Sequence, residues 1–364
     1  YDGTEKSVSG FTGAPADADF SAITVGAKGT IVGTYDANFD EDTVGKVDTT
    51  EKYIVTKANN GELKIIDRTE KYEITVKANS GEKTYDGQPL TVEGFETLAF
   101  TVNGQTYTVS GLTATKTGTN VSDSGAVVVE GTAVVKDAQG NDVTKQFNVN
   151  TVNGQLTIKP AEVTVTIKGN TDEVTYDGKE HSVKDFTSKI TDKTGLYAVN
   201  DFALIEGVTA EAKGTNANEY FMGLTKDSFA NSNTNFEVTF VVEDGKLTIK
   251  PAEVTVTIKG NTKTETYDGT EKSVTGYTVE SISNKLYSAD NVTLKDGVNA
   301  EAKGTNANDP NGTIKSYLMG LTKDSFENKN TNFKVTFEVE DGSLTIAKRD
   351  VTVTGESATK VYNG

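Results

Sequence analysis

The sequence predicts an all-β protein built from small β-sandwich (Ig-like) domains arranged end to end as an elongated rod. Three observations predict it: a recurring landmark, strands of period two, and a glycine-rich composition without cysteine. A Tyr-Asp/Asn-Gly step stands at Tyr1, Tyr85, Tyr176, Tyr267 and Tyr362, at intervals of 84 to 95 residues. Units of this length exceed the short helical and leucine-rich repeats, and each is long enough to bury a small core of its own. Runs such as Val163-Thr164-Val165-Thr166-Ile167 alternate apolar and polar residues, which puts the apolar side chains on one face of a strand. The 35 glycines and a hydrophobic content of 35% fit many turns and modest cores better than one large enzyme core. The alternative within this class is a β-grasp-like module carrying one short helix per unit.

The landmark sets the register of the repeats. Tyr1 is followed by Asp-Gly-Thr-Glu-Lys-Ser-Val-Ser-Gly-Phe, Tyr267 by Asp-Gly-Thr-Glu-Lys-Ser-Val-Thr-Gly-Tyr, and Tyr176 by Asp-Gly-Lys-Glu-His-Ser-Val-Lys-Asp-Phe. A middle motif follows at Ala27-Lys28-Gly29-Thr30, Lys116-Thr117-Gly118-Thr119-Asn120, Ala212-Lys213-Gly214-Thr215-Asn216 and Ala302-Lys303-Gly304-Thr305-Asn306. A closing Asn/Asp-Gly-x-Leu-x-Ile runs from Asn60 to Ile65, Asn153 to Ile158, Asp244 to Ile249 and Asp341 to Ile346. These landmarks divide the chain into repeat 1 (1–66, lacking its first strand), repeat 2 (67–159), repeat 3 (160–250), repeat 4 (251–347) and the first strand of a further repeat (348–364).

Within a repeat, Val163–Ile167 and Val254–Ile258 are opening strands. Phe236–Val242 and Phe333–Phe337 are later ones that share the alternation. Glu-Asp-Gly after each later strand is a two-residue turn signal, so the last two strands of each unit are expected to form a hairpin. The joints are short: Lys159-Pro160-Ala161-Glu162 and Lys250-Pro251-Ala252-Glu253, with Asp67-Arg68-Thr69 and Lys348-Arg349-Asp350 doing the same work without proline. Proline removes a ladder donor and fixes φ, so it ends one sheet and limits bending. Helix is expected only as single turns at Leu224–Phe229 and Leu321–Phe326, where Thr caps the turn and Leu and Phe pack inward. Strands of about ten residues at roughly 3.3 Å each give domains on the order of 35 Å, so that four in line approach ~140 Å. Because both ends fall at one phase of the repeat, the chain reads as a piece of a longer protein. It is expected to be a monomeric rod, the alternative being head-to-tail donation of the 348–364 strand to a repeat 1 that lacks one.

Composition excludes several classes of function. Without cysteine there is no disulfide, no Cys-based zinc site and no thiol nucleophile. A formal charge of −17 disfavours nucleic acid and anionic lipid as partners. No stretch reaches the ~20 apolar residues of a membrane span, so no membrane insertion is expected. His181 is the sole histidine, and Lys6, Leu90 and Lys272 occupy the matching positions, so it serves no mechanism common to the repeats. No nucleophile triad, glycosidase carboxylate pair or phosphate-binding glycine loop is recognisable, and no enzyme or cofactor is expected.

The one metal candidate is Asp36-x-Asn38-x-Asp40-x-Asp42, whose alternating oxygens have the spacing of a calcium loop. Glu41 stands where an EF-hand needs glycine and Val47 where it needs glutamate, so any calcium there would be bound in another way. Asp309-Pro310-Asn311-Gly312 is an insertion in repeat 4 and reads as a turn at a hairpin tip. An isopeptide cross-link would staple a cysteine-free domain, but no Lys, Asn/Asp and Glu trio is singled out.

Tyr-Asp-Gly opening a strand, Gly-Thr-Asn in the middle, Val143-Thr144-Lys145-Gln146-Phe147, and Asn-Gly-x-Leu-x-Ile-Lys-Pro together resemble the tandem YDG/MBG-type repeats of Gram-positive bacterial cell-surface adhesins. The resemblance covers essentially the whole chain. It implies a β-sandwich or β-grasp-like stalk or adhesive module, extracellular and attached to the cell wall through parts outside this segment. Repeat 1 departs most, with Gly29-Thr30-Ile31 in place of Gly-Thr-Asn. The function expected from all this is a non-catalytic spacer that projects a binding region; the alternative is a multivalent array recognising host glycan, mucin or immunoglobulin.

Overall fold

A computed structural model describes residues 1–309 and 315–363; Pro310-Asn311-Gly312 of the repeat 4 insertion fall outside the described residues. The chain is all-β. It comprises two compact units, the first formed by Tyr1–Val163, Asp192–Asp201 and Asn231–Thr239, the second by Thr164–Thr191, Phe202–Ala230 and Phe240–Gly364. Repeats 1 and 2 lie in the first unit and repeat 4 in the second, while the elements of repeat 3 are divided between them.

Repeat 4 shows how the sequence builds the fold. Its opening strand Ala252–Gly260 buries Ala252, Val254, Val256 and Ile258 and turns the intervening Glu, Thr and Lys outward, as period two dictates. It pairs in parallel with Phe333–Glu340 and antiparallel with Tyr277–Ile282. This three-stranded sheet packs against the ribbon Val292–Leu294 and Phe326–Asn328. Beyond Gly260 the chain enters a second sheet, where Thr262–Thr266 pairs in parallel with Ser343–Ala347, and Tyr317–Leu318 completes the order. That sheet covers the ribbon Lys272–Thr275 with Glu301–Gly304, enclosing Val274, Ala302, Leu344 and Ile346. The result is a two-layer sandwich in which two neighbouring strands both cross from one half to the other.

The expected hairpin between the last two strands is therefore not formed. Phe333–Glu340 and Ser343–Ala347 lie in different sheets, the first alongside the opening strand and the second alongside Thr262–Thr266. A two-residue hairpin turn of the Asp-Gly type needs positive φ at its central residues, and neither Asp341 nor Gly342 has it. Glycine is required for another reason: a Cβ on Gly342 would lie 2.4 Å from Met319 Sδ and 2.8 Å from the Asn261 carbonyl oxygen, and one on Gly260 would lie 2.3 Å from the Gly342 nitrogen. Asp341 turns its carboxylate onto the Gly320 and Leu321 amides at 3.0 and 2.9 Å. The same crossing occurs at Gly245, which meets Gly169, Asn170 and Met222, and at Gly154, which meets Asn79.

In repeat 2, Tyr72–Lys77 runs parallel to Phe147–Val152 and Gly81–Thr84 parallel to Gly154–Lys159. Two clusters form its core, around Val76, Tyr107, Val135 and Phe147, and around Ala78, Val127, Leu156 and Ile158. In repeat 3, Thr171–Thr175 runs parallel to Lys246–Lys250. Repeat 1 pairs Lys6–Ser9 with Gly26–Gly29 and Gly33–Ala37 with Gly61–Ile65. The single turns stand where expected, as 3-10 turns Lys226–Ser228 and Lys323–Ser325, with Ser228 and Ser325 hydroxyls accepting from the Thr225 and Thr322 amides at 2.9 and 3.0 Å. Leu224, Phe229, Leu321 and Phe326 are buried beside them. The β-grasp alternative needs a helix laid across a sheet, and among the described residues the only helices are 3-10 turns of three residues. From Lys348 to Asn363 no strand is formed.

Candidate functional site

The Tyr-Asp-Gly step is a turn, built the same way each time. The Asp carboxylate accepts from the amide two residues on, at 3.0 Å from Thr4, 2.9 Å from Gln88, 3.0 Å from Lys179 and 2.9 Å from Thr270. The following glycine has φ between +74° and +87°, a conformation that favours glycine. A basic group closes the turn: Lys6 on Asp2 at 2.5 Å, Lys83 on Asp86 at 2.6 Å and Lys272 on Asp268 at 2.6 Å, with His181 on Asp177 at 2.8 Å. The lone histidine thus fills the place of Lys6 and Lys272, while in repeat 2, where Leu90 stands there, Lys83 reaches Asp86 from the preceding strand. Hydrogen bonds from Lys6 and Lys272, and then from the neighbouring threonines, hold Asp2 and Asp268 well below the usual carboxylate range.

The calcium candidates spread along an exposed edge. Asp36 is on the strand Gly33–Ala37 opposite Glu62, Asn38, Asp40 and Asp42 follow it in the next loop, and all four are exposed. Asp42 is paired with Lys46 at 2.9 Å. Among the described residues no group of three or more His, Cys, Asp or Glu is placed to hold a metal ion. None of the lysines described is buried, as an isopeptide bond would require.

What recurs with fixed geometry is the joint between repeats. At the end of repeat 2, the Phe236 ring of repeat 3 sits edge-on between Tyr85 and Tyr197, with centroids 5.3 and 5.1 Å away. Beside it, Asn235 Oδ1 accepts from the Val121 amide at 2.8 Å and Asn235 Nδ2 donates to Asn120 Oδ1 at 3.0 Å. The Asn235 carbonyl takes the Ala161 amide just after Pro160. At the end of repeat 3, Phe333 lies between Tyr176 and Tyr287 at 5.3 and 5.1 Å, and Asn332 bonds the Ala217 amide at 2.6 Å and Asn216 Oδ1 at 3.0 Å. The Tyr of one repeat's turn and the Asn of its Gly-Thr-Asn motif thus form a socket, and an Asn-Phe pair of the next repeat fills it.

The first joint is a variant of this design. Gln146-Phe147 stands in place of Asn-Phe, and Gln146 accepts from the Arg68 amide at 2.9 Å and donates to Asp67 at 2.5 Å. Phe147 packs on Tyr72 and Tyr107 at 5.5 and 4.8 Å, and Tyr1 and Ile31 of repeat 1 pack against that same cluster. Arg68 stacks 4.0 Å over the Tyr72 ring and donates to the Tyr1 carbonyl. Ile31, which departs from the Gly-Thr-Asn pattern, therefore makes an apolar contact where the other joints make a hydrogen bond. The turn glycines also approach the next repeat closely: a Cβ on Gly3 would meet the Tyr107 hydroxyl at 2.2 Å and one on Gly87 would meet Leu196 at 2.7 Å.

Burial raises the pKa of three phenols at the joints, Tyr1, Tyr197 and Tyr287. It pushes Tyr197 up to about 12, with the nearby Asp201 carboxylate adding to the shift. Tyr287 rises for the same reason, and Tyr1 stands well above the usual phenol range through burial and the neighbouring Tyr107 hydroxyl. Chemically the site is a fixed socket of aromatic edges and two amide hydrogen bonds. The sequence analysis missed Gln146-Phe147, Asn235-Phe236 and Asn332-Phe333 as a functional set; an amide side chain followed by Phe, at one place in three successive repeats, was the available signal.

No family model and no curated protein matches the chain. Among solved structures it is similar to the N-terminal four Ig domains of Dscam1 isoform 1.9, at 10% identity and a TM-score of 0.16 over 88% of this chain and 81% of that one. The corresponding structure of isoform 4.44 gives 9% identity and a TM-score of 0.17 over 89% and 81%.

Proposed function

We propose that this chain is a non-catalytic stalk or spacer segment of a bacterial cell-surface adhesin, projecting a binding region away from the cell wall. The observation that supports this reading is the joint: an Asn/Gln-Phe pair enters a Tyr-lined socket at each of the boundaries between repeats. An aromatic ring held edge-on by neighbours and flanked by two hydrogen bonds limits bending about a short linker. Sequence invested at boundaries, rather than in a repeated surface patch, suits a part whose task is reach. The motifs that resemble YDG/MBG-type repeats are the ones that build the socket and the turns, so that family's stalk role accords with where its signature residues lie.

Small-angle X-ray scattering on the purified chain tests the reading. A maximum dimension near ~140 Å, the length of four domains in line at about 3.3 Å per strand residue, and unchanged by calcium, is the expected result. A compact particle, or one whose length depends on calcium, would overturn the spacer reading and favour a binding array directed at host glycan, mucin or immunoglobulin.

A further inference from the structure

The boundaries between repeats differ in how much chain spans them. Between the closing Ile and the first residue of the next opening strand stand only Lys159-Pro160 or Lys250-Pro251, whereas Ile66-Asp67-Arg68-Thr69-Glu70-Lys71 stands between Ile65 and Tyr72. Six extended residues reach about 20 Å, against about 7 Å for two. The longer segment has no proline, and every residue in it except Arg68 is exposed. It can absorb the changes in φ and ψ that a rotation needs, which a lysine-proline pair cannot.

The hydrogen bonds of this boundary also run differently. Asn235 and Asn332 each bond across to the preceding repeat. Both side-chain bonds of Gln146 instead stay inside repeat 2, on the Arg68 amide and the Asp67 carboxylate, and so fold the long segment back against that repeat. A cleft of about 530 Å³ lies at the boundary, lined by Ile31 and Val32 of repeat 1 and by Thr132, Val134 and Gln146 of repeat 2. Arg68 links the two sides. Its Nη1 donates to the Tyr1 carbonyl at 3.2 Å, its Nε donates to the Glu70 carbonyl at 2.8 Å, and its guanidinium lies 4.0 Å over the Tyr72 ring.

We propose that the boundary between repeats 1 and 2 is a latched hinge: Gln146 and Arg68 hold Ile66–Lys71 folded, and their release lets repeat 1 turn on that segment while the two Asn-Phe boundaries stay fixed. Opening parts Tyr1 and Ile31 from the cluster around Phe147, which exposes apolar surface and keeps the open form the minor one. The closed form rests on contacts of moderate strength, a half-buried stack and single hydrogen bonds, so the two forms exchange without unfolding of either repeat. A spacer and a binding array could each carry such a hinge, so this test and the scattering test fail separately.

The chain has no cysteine, so introduced cysteines carry the only spin labels. In the full chain, K28C/N150C spans the first boundary and K213C/T336C spans the third at matching positions, all four exposed. Double electron–electron resonance is expected to give one main distance at each boundary and a minor second distance at the first only. Arg68→Ala should raise that second population roughly tenfold relative to the main one, the effect of losing a hydrogen bond and a cation–π contact, and leave the third boundary unchanged. Arg68→Lys, which keeps the charge without the planar fork, should fall between. A wild-type chain with a single distance at both boundaries overturns the hinge, whether or not the variants fold. A second distance at the third boundary overturns it as well, and so does a folded Arg68→Ala chain whose first boundary matches wild type.

Discussion

Asn332→Ala isolates the polar half of a joint. The side chain makes two bonds, to the Ala217 amide at 2.6 Å and to Asn216 Oδ1 at 3.0 Å. The substitution leaves the backbone bonds of Asn332 to Ala252 and Asn330 in place. Each hydrogen bond contributes about 0.5–1.5 kcal/mol net. Asn332 and Ala217 are half-buried, so water partly replaces the lost partner, and the expected loss is about 1.5 kcal/mol rather than the full cost of a buried orphan. For a repeat of this size that corresponds to a fall of roughly 6–12 °C in Tm. Differential scanning calorimetry reads it, with Asn235→Ala as the companion: its bonds at 2.8 and 3.0 Å copy those of Asn332, so it should lower the transition that includes its own joint by a similar amount. A wild-type thermogram for either variant, or a large loss in one and none in the other, would refute the claim that the joints are equivalent couplings.

Three further outcomes follow from the geometry. Gly342→Asn should destabilise more than Gly342→Ala, because the obstacle is Met319 and the Asn261 carbonyl rather than φ; urea melts giving the reverse order would restore a positive-φ turn, where Asn is tolerated. Tyr176→Ala should cost about 2–4 kcal/mol through the lost ring contact with Phe333, while Tyr267→Ala should stay within about 0.5 kcal/mol in the monomer, and equal losses in equilibrium unfolding would contradict the socket assignment. Tyr197 titrates at about 12 in the fold against an ordinary 10.0; because its folded value is the higher, its contribution is complete below pH 10 and is lost as pH rises towards 12. Spectrophotometric titration at 295 nm should show a late-ionising phase that includes Tyr197 and coincides with unfolding, and the curve of Tyr197→Phe should lack that residue's share of the phase; a wild-type curve identical to that of the variant would sink the argument.

The opening strands were legible because burial follows period two directly: Val254, Val256 and Ile258 are the apolar members of their run and the buried ones. The Leu-Thr-Lys-Asp-Ser-Phe turns were legible for the same local reason. The crossing at Asp341-Gly342 was not, because glycine demanded by a crowded backbone looks the same in sequence as glycine demanded by a turn. Parallel pairing of the opening strand with one some eighty residues later leaves no local mark either. The Tyr-Asp-Gly step was readable as a turn from its Asp and Gly, but its Tyr acquires a second role only from Phe236 or Phe333, which lie far along the chain. Ile31 shows the limit most clearly: its departure from the motif was visible, and its meaning depended on the cluster around Phe147.

The parallel pairing in repeat 4 also sets how the repeat meets a pulling force. Tension passed along the chain enters at Ala252 and leaves at Ala347. Ala252–Lys259 lies alongside Phe333–Glu340, and Thr262–Thr266 alongside Ser343–Ala347, in the same direction. Strands so arranged are loaded from opposite ends, so the ladder is sheared and its hydrogen bonds must yield together rather than unzip one after another. A repeat with no disulfide can in this way resist load through the direction of its strands alone.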